Sequence, residues 1–335
     1  MAEKQFTLKN AVSLKGKGLH TGLEVEMTFK PAPENTGIVF QRVDLKDKPL
    51  VPALADYVTD TSRGTTLEKD GVKVITMEHG LAALFGFGID NAIIEINGPE
   101  VPIMDGSSAP FFDVISKAGK VEQNADRNYF IVKEKLSYEI KEKGIEISIY
   151  PDDHFNVNVL IDYNSKVLGH QFAALQKIED FGTEIAPCRT FVFFHELEFL
   201  LKNNLVKGGD LENAIVIMEH PVKQEEIDRI ANLFNKPSVK VKPEGFLNNL
   251  DLRFDNECAR HKLLDVVGDL SLIGRRIKGR VIATRPGHMA NTELAKIVRQ
   301  IIKKEDKKGV IPDFDTTREP LLNVNQIQRI LPHRP

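Results

Sequence analysis

The sequence predicts an α+β fold made of two similar domains, and two observations support this prediction. Short runs with the alternating apolar pattern of strands, such as LEVEMTFK and FNVNVLIDYN, are interspersed with runs of helical periodicity. In addition, the order helix, glycine, buried strand and Gly/Pro turn occurs once in each half of the chain. The repeated order favours two domains of similar topology, with a boundary near residues 120–128.

The first half of the chain contains both strand and helix signals. Residues 5–45 predict strands around turns, in FTLKNAVSLKG, LEVEMTFK and GIVFQRV. Residues 76–86 predict a helix that Thr76 caps and that the glycines at 86 and 88 end. The nearly continuous apolar run NAIIEING then predicts a buried strand.

In the second half the strand pattern begins again at about residue 127, in YFIVKEKLSYEI, GIEISIYP and FNVNVLIDYN. A helix that carries His261 precedes the predicted strand GRVIATRPG. The predicted domains are therefore residues 1–126 and 127–305. An apolar stretch that contains TFVFFHELEFLL predicts a strand-helix-strand insert near 186–220.

Composition excludes several classes of protein. The chain has 335 residues, of which 41% are hydrophobic and 28% charged, as expected of a globular protein. A net charge of −3 gives no general electrostatic reason to bind nucleic acid. There is no apolar run of the roughly 18 to 20 residues needed to span a bilayer, and the start MAEKQFTLKN lacks the apolar core of a signal peptide. Two cysteines without CxxC spacing fit a reducing compartment, so we expect a soluble cytoplasmic protein.

The helix CARHKLLDVVGDL, residues 258–270, is apolar around most of its circumference but carries one polar row. His261, Asp265 and Asp269 recur every fourth residue, which places them along one face with neighbouring Cβ atoms about 5–6 Å apart. A solvated polar face is not expected on a helix with such wide apolar coverage. We therefore expect the row to face inward, where it needs a partner.

A metal ion is a suitable partner for this row. His261 and Asp265 have the i, i+4 spacing of two ligands to one ion, and imidazole with carboxylate suits zinc, although the same spacing also occurs in ordinary salt-bridged helices. A catalytic zinc usually takes three protein ligands, and the tripeptide MEH offers a further histidine twice. His79 opens a predicted helix, whereas His220 ends a strand and precedes a proline, so we favour His79.

Two further motifs allow more than one interpretation. Glu78 precedes His79, so the sequence offers a general base beside a metal ligand, but an acidic residue at this point could equally complement a helix N-terminus. GKGLHTG resembles a dinucleotide-binding fingerprint in part, but Thr21 stands where the third glycine is required. We interpret this stretch as a turn at the end of a strand.

Seven segments resemble the signatures of one enzyme family, UDP-3-O-acyl-N-acetylglucosamine deacetylase. They are GKGLHTG (16–22), KPAPENTGIVFQRVD (30–44), EHGLAALFGFGIDNAIIEINGPEVPIMDGSSAPF (78–111), CRTF (188–191), LVKGGDLENAIVI (205–217), RFDNECARHKLLDVVGDL (253–270) and GHMAN (287–291). The resemblance covers roughly residues 5–305. It implies two α+β domains, each with helices sandwiched between β-sheets and each carrying an insert, with a zinc ion at the domain interface.

The resemblance also implies an activity and a set of site residues. The reaction would be zinc-dependent removal of the N-acetyl group from UDP-3-O-(3-hydroxyacyl)-N-acetylglucosamine, which releases acetate in the committed step of lipid A synthesis in Gram-negative bacteria. The implied zinc ligands are His79, His261 and Asp265; the catalytic residues are Glu78 as base, His288 as acid, Asp269 as the carboxylate that orients that histidine, and Thr190 as oxyanion donor; the substrate-binding residues are Lys262, Phe191 and His20.

The chain departs from the family pattern in two places. The segment PVKQEEIDRIANLFNKPSVKVKPEG is longer than expected, and TSRGTTL stands where some members carry a cysteine near the active site. The alternative from another functional class is a non-catalytic sugar-nucleotide-binding protein with a structural zinc. Such a site would be closed by a fourth protein ligand, and Cys258 lies three residues before His261, near the same face.

Near the end of the sequence, the string ILPHRP resembles the opening signature of 3-hydroxyacyl-acyl-carrier-protein dehydratase. We expect residues 306–320, which include DFDTTREP, to be a linker and residues 321–335 to be the start of a truncated dehydratase domain from a longer fusion protein. That family's catalytic histidine lies in a GHFPG motif that does not occur in this sequence, so we expect no catalytic role for His333.

Overall fold

The computed structural model of the protein describes residues 3–307 except 203, 204, 235, 237 and 238. By its internal contacts the chain divides into two units, residues 1–299 and residues 300–335. Of the second unit, residues 300–307 are described, and they form the end of the last helix. The architecture below is that of the first unit.

Of the predicted domain limits, the boundary after residue 126 falls within the first unit and stays a prediction. The predicted linker at 306–320 is described for residues 306 and 307, which are the last two of a helix. The remainder of that segment and the expected start of a dehydratase domain at 321–335 lie outside the described residues.

The described part of the first half contains ten strands and two helices. In chain order these are β1 (Lys4–Leu8), β2 (Val12–Lys17), β3 (Glu24–Pro31), β4 (Ile38–Arg42), β5 (Leu50–Pro52), β6 (Val58–Asp60), β7 (Thr66–Lys69), β8 (Val72–Ile75), α1 (Glu78–Phe87), β9 (Ala92–Ile96), α2 (Ala109–Ala118) and β10 (Lys120–Asp126).

The second half continues with nine strands and five helices among its described residues. They are β11 (Tyr129–Ile131), β12 (Leu136–Ile140), β13 (Ile145–Tyr150), β14 (Asn156–Asp162), β15 (His170–Leu175), α3 (Phe181–Glu184), β16 (Phe191–Phe193), α4 (Phe194–Lys202), β17 (Ile215–Ile217), α5 (Gln224–Leu233), α6 (Glu257–Ser271), β18 (Arg276–Lys278), β19 (Arg280–Thr284) and α7 (His288–Lys307).

Each half contains a five-stranded sheet with the same topology. The strand orders are β2-β3-β9-β4-β5 and β12-β13-β19-β14-β15. In both sheets the third and fourth strands in this order pair in parallel and all other neighbours pair antiparallel. The predicted α+β fold with two similar halves is therefore confirmed.

The main helices pack between these two sheets. α6 packs on β14 and β15, α1 packs against α6 and α2, and α2 contacts β2. The strand sequences explain which face is covered: in β14 the alternate residues Val157, Val159 and Ile161 are fully buried, while Leu160 between them is 39% exposed. The core thus lies between each sheet and the helical layer.

The start of α1 differs from the prediction. The helix begins at Glu78, and Thr76 does not cap it: Thr76 has a left-handed backbone with φ of 59°, and its hydroxyl donates to Glu100 Oε1 at 3.1 Å. The predicted cap is wrong because a buried carboxylate 24 residues away binds the hydroxyl instead. At the other end, Gly88 in the left-handed conformation ends the helix, as its position in the sequence suggests.

The segment around 186–220 contains β16, α4 and β17, and the two strands pair in parallel. The segment that is longer than the family pattern forms α5. Side chains of α4, α5 and β17 share one apolar cluster, composed of Phe194, Leu197, Leu211, Val216, Met218, Ile227, Ile230, Ala231, Val239 and Leu247. α5 therefore covers a face of the insert that would otherwise expose these apolar side chains to water.

Among the described residues, the helices are either too short or too polar to cross a bilayer.

α1 and α6 approach each other closely at Gly268. A Cβ atom on Gly268 would lie 2.3 Å from the carbonyl oxygen of Glu78, which is far inside van der Waals contact with rigid backbone. The absence of a side chain at this position therefore allows the first turn of α1 to contact α6.

We predict that Gly268→Ala lowers the free energy of unfolding by about 1–3 kcal/mol or more, because the two helices must separate to admit the methyl group. The matched control is Gly80→Ala in α1, where a Cβ would meet Met27 Cε at an ordinary 3.6 Å. That change should be neutral or stabilising, since alanine is the better helix former. Denaturant unfolding of both variants measures the difference, and equal stabilities would contradict the assigned role of Gly268.

Candidate active site

Three predicted metal ligands meet where α1 contacts α6. His79 Nε2 lies 3.8 Å and His261 Nε2 3.5 Å from Asp265 Oδ1, and one donor atom from each residue lies within 4.8 Å of the others. All three side chains are buried. The i, i+4 spacing on α6 aligns His261 with Asp265, and the first turn of α1 brings His79 opposite them.

Neighbouring groups orient these three side chains. His261 Nδ1 lies 3.1 Å from the carbonyl oxygen of Cys188, which can only accept, so Nδ1 carries the proton and Nε2 keeps its lone pair. Lys262 Nζ donates to Asp265 Oδ2 at 2.8 Å, while Asp265 Oδ1 is buried without a hydrogen-bond partner. The free lone pairs of His261 and Asp265 therefore belong to the atoms that face each other.

The protonation states also suit a cation. Burial and the nearby His261 lower the pKa of His79 to about 3, and burial lowers the pKa of His261 as well. Burial opposes ionisation of Asp265, but the charges of Lys262 and the histidines outweigh it and hold the pKa of that carboxyl below its usual range. Two neutral imidazoles and one carboxylate are the forms that bind a divalent metal, and this donor set suits zinc.

Other candidate ligands lie elsewhere. In the described parts of the chain, the group of histidine, cysteine and acidic side chains that could hold one metal ion consists of His79, His261 and Asp265. Neither His220 nor Cys258 belongs to it. Three donors leave room for a further ligand, whereas a closed structural site would use a fourth protein donor.

Glu78 lies beside this cluster and is buried, with 3% of its surface exposed. Burial raises the pKa of Glu78 to about 7, although the charge of His288 partly offsets this effect. Its Oε2 accepts a hydrogen bond from the backbone N–H of Thr65 at 3.2 Å, and its Oε1 lies 3.8 Å from His288 Nε2. A carboxyl group that titrates near neutrality is suited to general base catalysis.

His288 stands at the first position of α7 and points into the same space. Its Nδ1 lies 2.9 Å from Asp269 Oδ2, and its Nε2 lies 4.0 Å from Asp265 Oδ2. Burial opposes the imidazolium charge, but Asp269, Asp265 and Glu78 outweigh it and raise the pKa of His288 to about 10. His288 is therefore cationic at neutral pH, so its Nε2 carries a proton that it can donate.

The predicted oxyanion donor and substrate-binding residues lie outside the metal-binding group. Phe191 lies with its ring centroid 6.5 Å from that of His261, and Lys262 Nζ stands 5.5 Å from the Phe191 centroid. Thr190 is held by its backbone, since its N–H donates to Gly106 O at 2.8 Å. His20 is outside the metal-binding group, and its Nδ1 lies 2.9 Å from Leu205 O in the insert.

Several residues with evident structural roles at the site were not identified from the sequence. Asn291 donates from Nδ2 to Asp269 Oδ2 at 2.8 Å, and its position one helical turn after His288 could have indicated this. Thr65 contacts both Glu78 and Asp269. The fully buried Glu100 accepts hydrogen bonds from the backbone N–H groups of His20 and Thr21, and no sequence signal links these segments.

Comparison with known proteins shows the family of this chain. The family model LpxC, described as UDP-3-O-acyl N-acetylglycosamine deacetylase, matches residues 5–236 and 235–300. The chain belongs to the LpxC family. A protein named bifunctional enzyme LpxC/FabZ from Bacteroides thetaiotaomicron is 49% identical over 99% of this chain and 71% of its own length. A UDP-3-O-acyl-N-acetylglucosamine deacetylase from Myxococcus xanthus is 41% identical over 92% of this chain and 89% of its own length.

The buried position of Glu78 leads to a prediction for this LpxC family member in its metal-free form. The folded pKa of Glu78, about 7, exceeds that of an unfolded glutamate, about 4.3. The protonated carboxyl therefore adds to the free energy of unfolding. This contribution is complete below the unfolded pKa and is lost as the pH rises through the folded pKa.

We predict that the free energy of unfolding of Glu78→Gln, measured relative to the native sequence, increases by about 3 kcal/mol between pH 4 and pH 8, because glutamine does not ionise. Denaturant titrations with a chelator present, at several pH values, measure this difference. A difference that stays constant across this range would contradict burial of an ionisable Glu78.

Proposed function

We propose that this LpxC family member is a zinc-dependent amide hydrolase that removes the N-acetyl group from UDP-3-O-(3-hydroxyacyl)-N-acetylglucosamine and releases acetate, the committed step of lipid A biosynthesis. The observation that carries the proposal is the buried group His79, His261 and Asp265 next to a carboxyl with raised pKa and a cationic histidine. The family membership and the printed names of relatives support the choice of substrate. The two cysteines, both buried and free, are compatible with a cytoplasmic location.

Amide hydrolysis needs an activated water, a stabilised oxyanion and a protonated leaving amine. Zinc held by His79, His261 and Asp265 would supply a Lewis acid that activates water and polarises the acetyl carbonyl. The ionised Glu78 takes the proton from the attacking water. Because Glu78 Oε1 and His288 Nε2 lie 3.8 Å apart, the base and the acid act on the same small space.

His288 completes the reaction by donating its Nε2 proton to the departing amine. Asp269 holds Nδ1 and stabilises the cation, which orients Nε2 toward the substrate. Thr190 serves as a donor to the developing oxyanion, and Lys262 and Phe191 contact substrate beyond the reacting amide. The apolar side chains of the insert accommodate the acyl chain.

Acetate release from the acylated UDP-sugar, with and without a chelator, tests this function. We expect turnover by the metal-loaded protein, loss of turnover with the chelator, and recovery when zinc is restored. Turnover that persists in verified metal-free protein would contradict zinc dependence, and absence of turnover by the zinc-loaded protein would contradict the assigned substrate.

We predict that ligand and base variants fail differently. His79→Ala and His261→Ala should each lose stoichiometric zinc, whereas Glu78→Ala should keep zinc and lose turnover, because the first two remove affinity and the third removes a proton acceptor from the chemical step. Metal analysis of dialysed protein and steady-state kinetics separate the two effects.

The control for that series is Cys258→Ser. In a site with three protein ligands this change leaves the zinc content unaltered, while in a closed structural site it removes the metal. Full zinc occupancy in both histidine variants would contradict the assigned ligands.

We also predict a bell-shaped dependence of kcat/KM on pH. Activity rises as Glu78 loses its proton and falls as His288 loses its proton, with metal-free pKa values of about 7 and about 10. A bound cation favours both deprotonated forms, so the two limbs should lie at or below these values.

In His288→Ala the alkaline limb should weaken or move, whereas it should be unchanged in His154→Ala, which alters an exposed histidine outside the site. Rate profiles from pH 5 to pH 10.5 provide the comparison. An unaltered alkaline limb in His288→Ala would assign that limb to another group.

A further inference from the structure

Thr65 is fully buried beside the site and lies directly before β7, yet none of the proposed chemical steps uses it. Its backbone N–H donates to Glu78 Oε2 at 3.2 Å, and its hydroxyl donates to Asp269 Oδ1 at 2.6 Å. One residue therefore contacts both the proposed base and the carboxylate that holds the proposed acid.

The backbone around Thr65 is itself fixed against the start of α1. Its carbonyl oxygen accepts a hydrogen bond from the N–H of Thr76 at 3.1 Å, two residues before Glu78. At the preceding position, a Cβ on Gly64 would lie 2.9 Å from Glu78 Oε1, so the chain passes close to the base. Thr65 is thus hydrogen-bonded both to Glu78 and to the residue two positions before it.

The hydroxyl of Thr65 restrains Asp269 rather than Glu78. Asp269 Oδ2 accepts from Asn291 and lies 2.9 Å from His288 Nδ1, which leaves Oδ1 for Thr65. Partners on both oxygens restrain rotation of the carboxylate about its bond to Cβ. Without the Thr65 hydroxyl, Oδ1 would be a buried oxygen that lacks this donor, and the carboxylate could turn to find another.

We propose that Thr65 is a positioning residue that fixes the distance and orientation between Glu78 and the Asp269–His288 pair. The proposal rests on the proposed function, in which Glu78 is the base and His288 the acid. According to this proposal, the hydrogen bond from the Thr65 hydroxyl to Asp269 affects the rate of the chemical step. Misplacement of a reacting group by about 1 Å can cost on the order of 100-fold in rate.

The test compares three variants of the zinc-loaded full chain. Thr65→Val replaces the hydroxyl with a methyl group of similar size, and we expect kcat to fall by roughly 10- to 100-fold with KM and zinc content within about twofold of normal. Thr65→Ser keeps the donor and should recover most of kcat. The matched control is Thr66→Val at the adjacent buried threonine, which should keep normal kinetics.

A double-variant cycle separates this role from a general packing defect. In an Asp269→Ala background the target of the hydroxyl is gone, so adding Thr65→Val should change kcat by less than about twofold. A packing defect would lower kcat by the same factor in both backgrounds, and that result would overturn the proposal. Normal kcat in Thr65→Val would overturn it as well.

An NMR measurement tests the link between Thr65 and the Asp269–His288 pair without relying on turnover. The His288 Nδ1 proton, which is hydrogen-bonded to Asp269, should give a downfield NMR resonance at fixed pH. We expect this resonance to shift or broaden in Thr65→Val and to be unchanged in Thr66→Val. A shift in a protein that does not release acetate would contradict the proposed function but support the coupling, and an unmoved resonance in an active Thr65→Val would contradict the coupling alone.

Discussion

The contact between α1 and α6 brings together the proposed base and the three proposed metal ligands of the candidate active site. Glu78 and His79 belong to the first turn of α1, while His261, Asp265 and Asp269 form one row along α6. The two sets face each other because Gly268 lets the backbones approach. The far end of α1 is held as well: Arg276, which begins β18, donates to the carbonyl oxygen of Ile89 at 2.9 Å, just beyond the helix C-terminus, where a cation also complements the helix dipole. A small displacement of α1 would therefore separate donors that come from different helices.

Burial of so many ionisable groups is tolerated because their charges alternate. Asp265 lies between Lys262 and the imidazoles, and Asp269 faces His288. Removing one member would leave a buried charge without its partner, which is more costly than the original pair. The exception is Asp265 Oδ1, which has no hydrogen-bond partner although it is buried. This unsatisfied oxygen is the feature that a bound cation would relieve, and the surrounding fold keeps it available.

The parts of the site that the sequence predicts are those set by local periodicity. The row on α6 follows from a spacing of four residues, and the adjacent Glu78 and His79 follow from one tripeptide. Residues that act across the fold carry no comparable signal: Thr65 and Asp269 are 204 positions apart, and their hydrogen bond forms only because the fold brings the segment before β7 to α6. Thr76 illustrates the opposite error. Its place before a helical run predicts a cap, but tertiary contact with Glu100 overrides that local preference.

The insert is anchored to the same helix that carries the proposed ligands. Arg189, which precedes the first insert strand, forms a buried ion pair with Glu257 in the first turn of α6, with Nε 2.8 Å from Oε1. The neighbouring Cys188 carbonyl orients His261, and Thr190 follows directly. The segment from Cys188 to Phe191 therefore sets an imidazole on one side and the proposed substrate contacts on the other. The extra segment of this chain reaches the same connection. Its helix α5 packs on the apolar cluster of the insert, and its Lys242 forms an ion pair with Asp251, whose carbonyl oxygen accepts a hydrogen bond from Arg189. The added segment is therefore joined through Asp251 to the Arg189–Glu257 pair that holds the insert on α6.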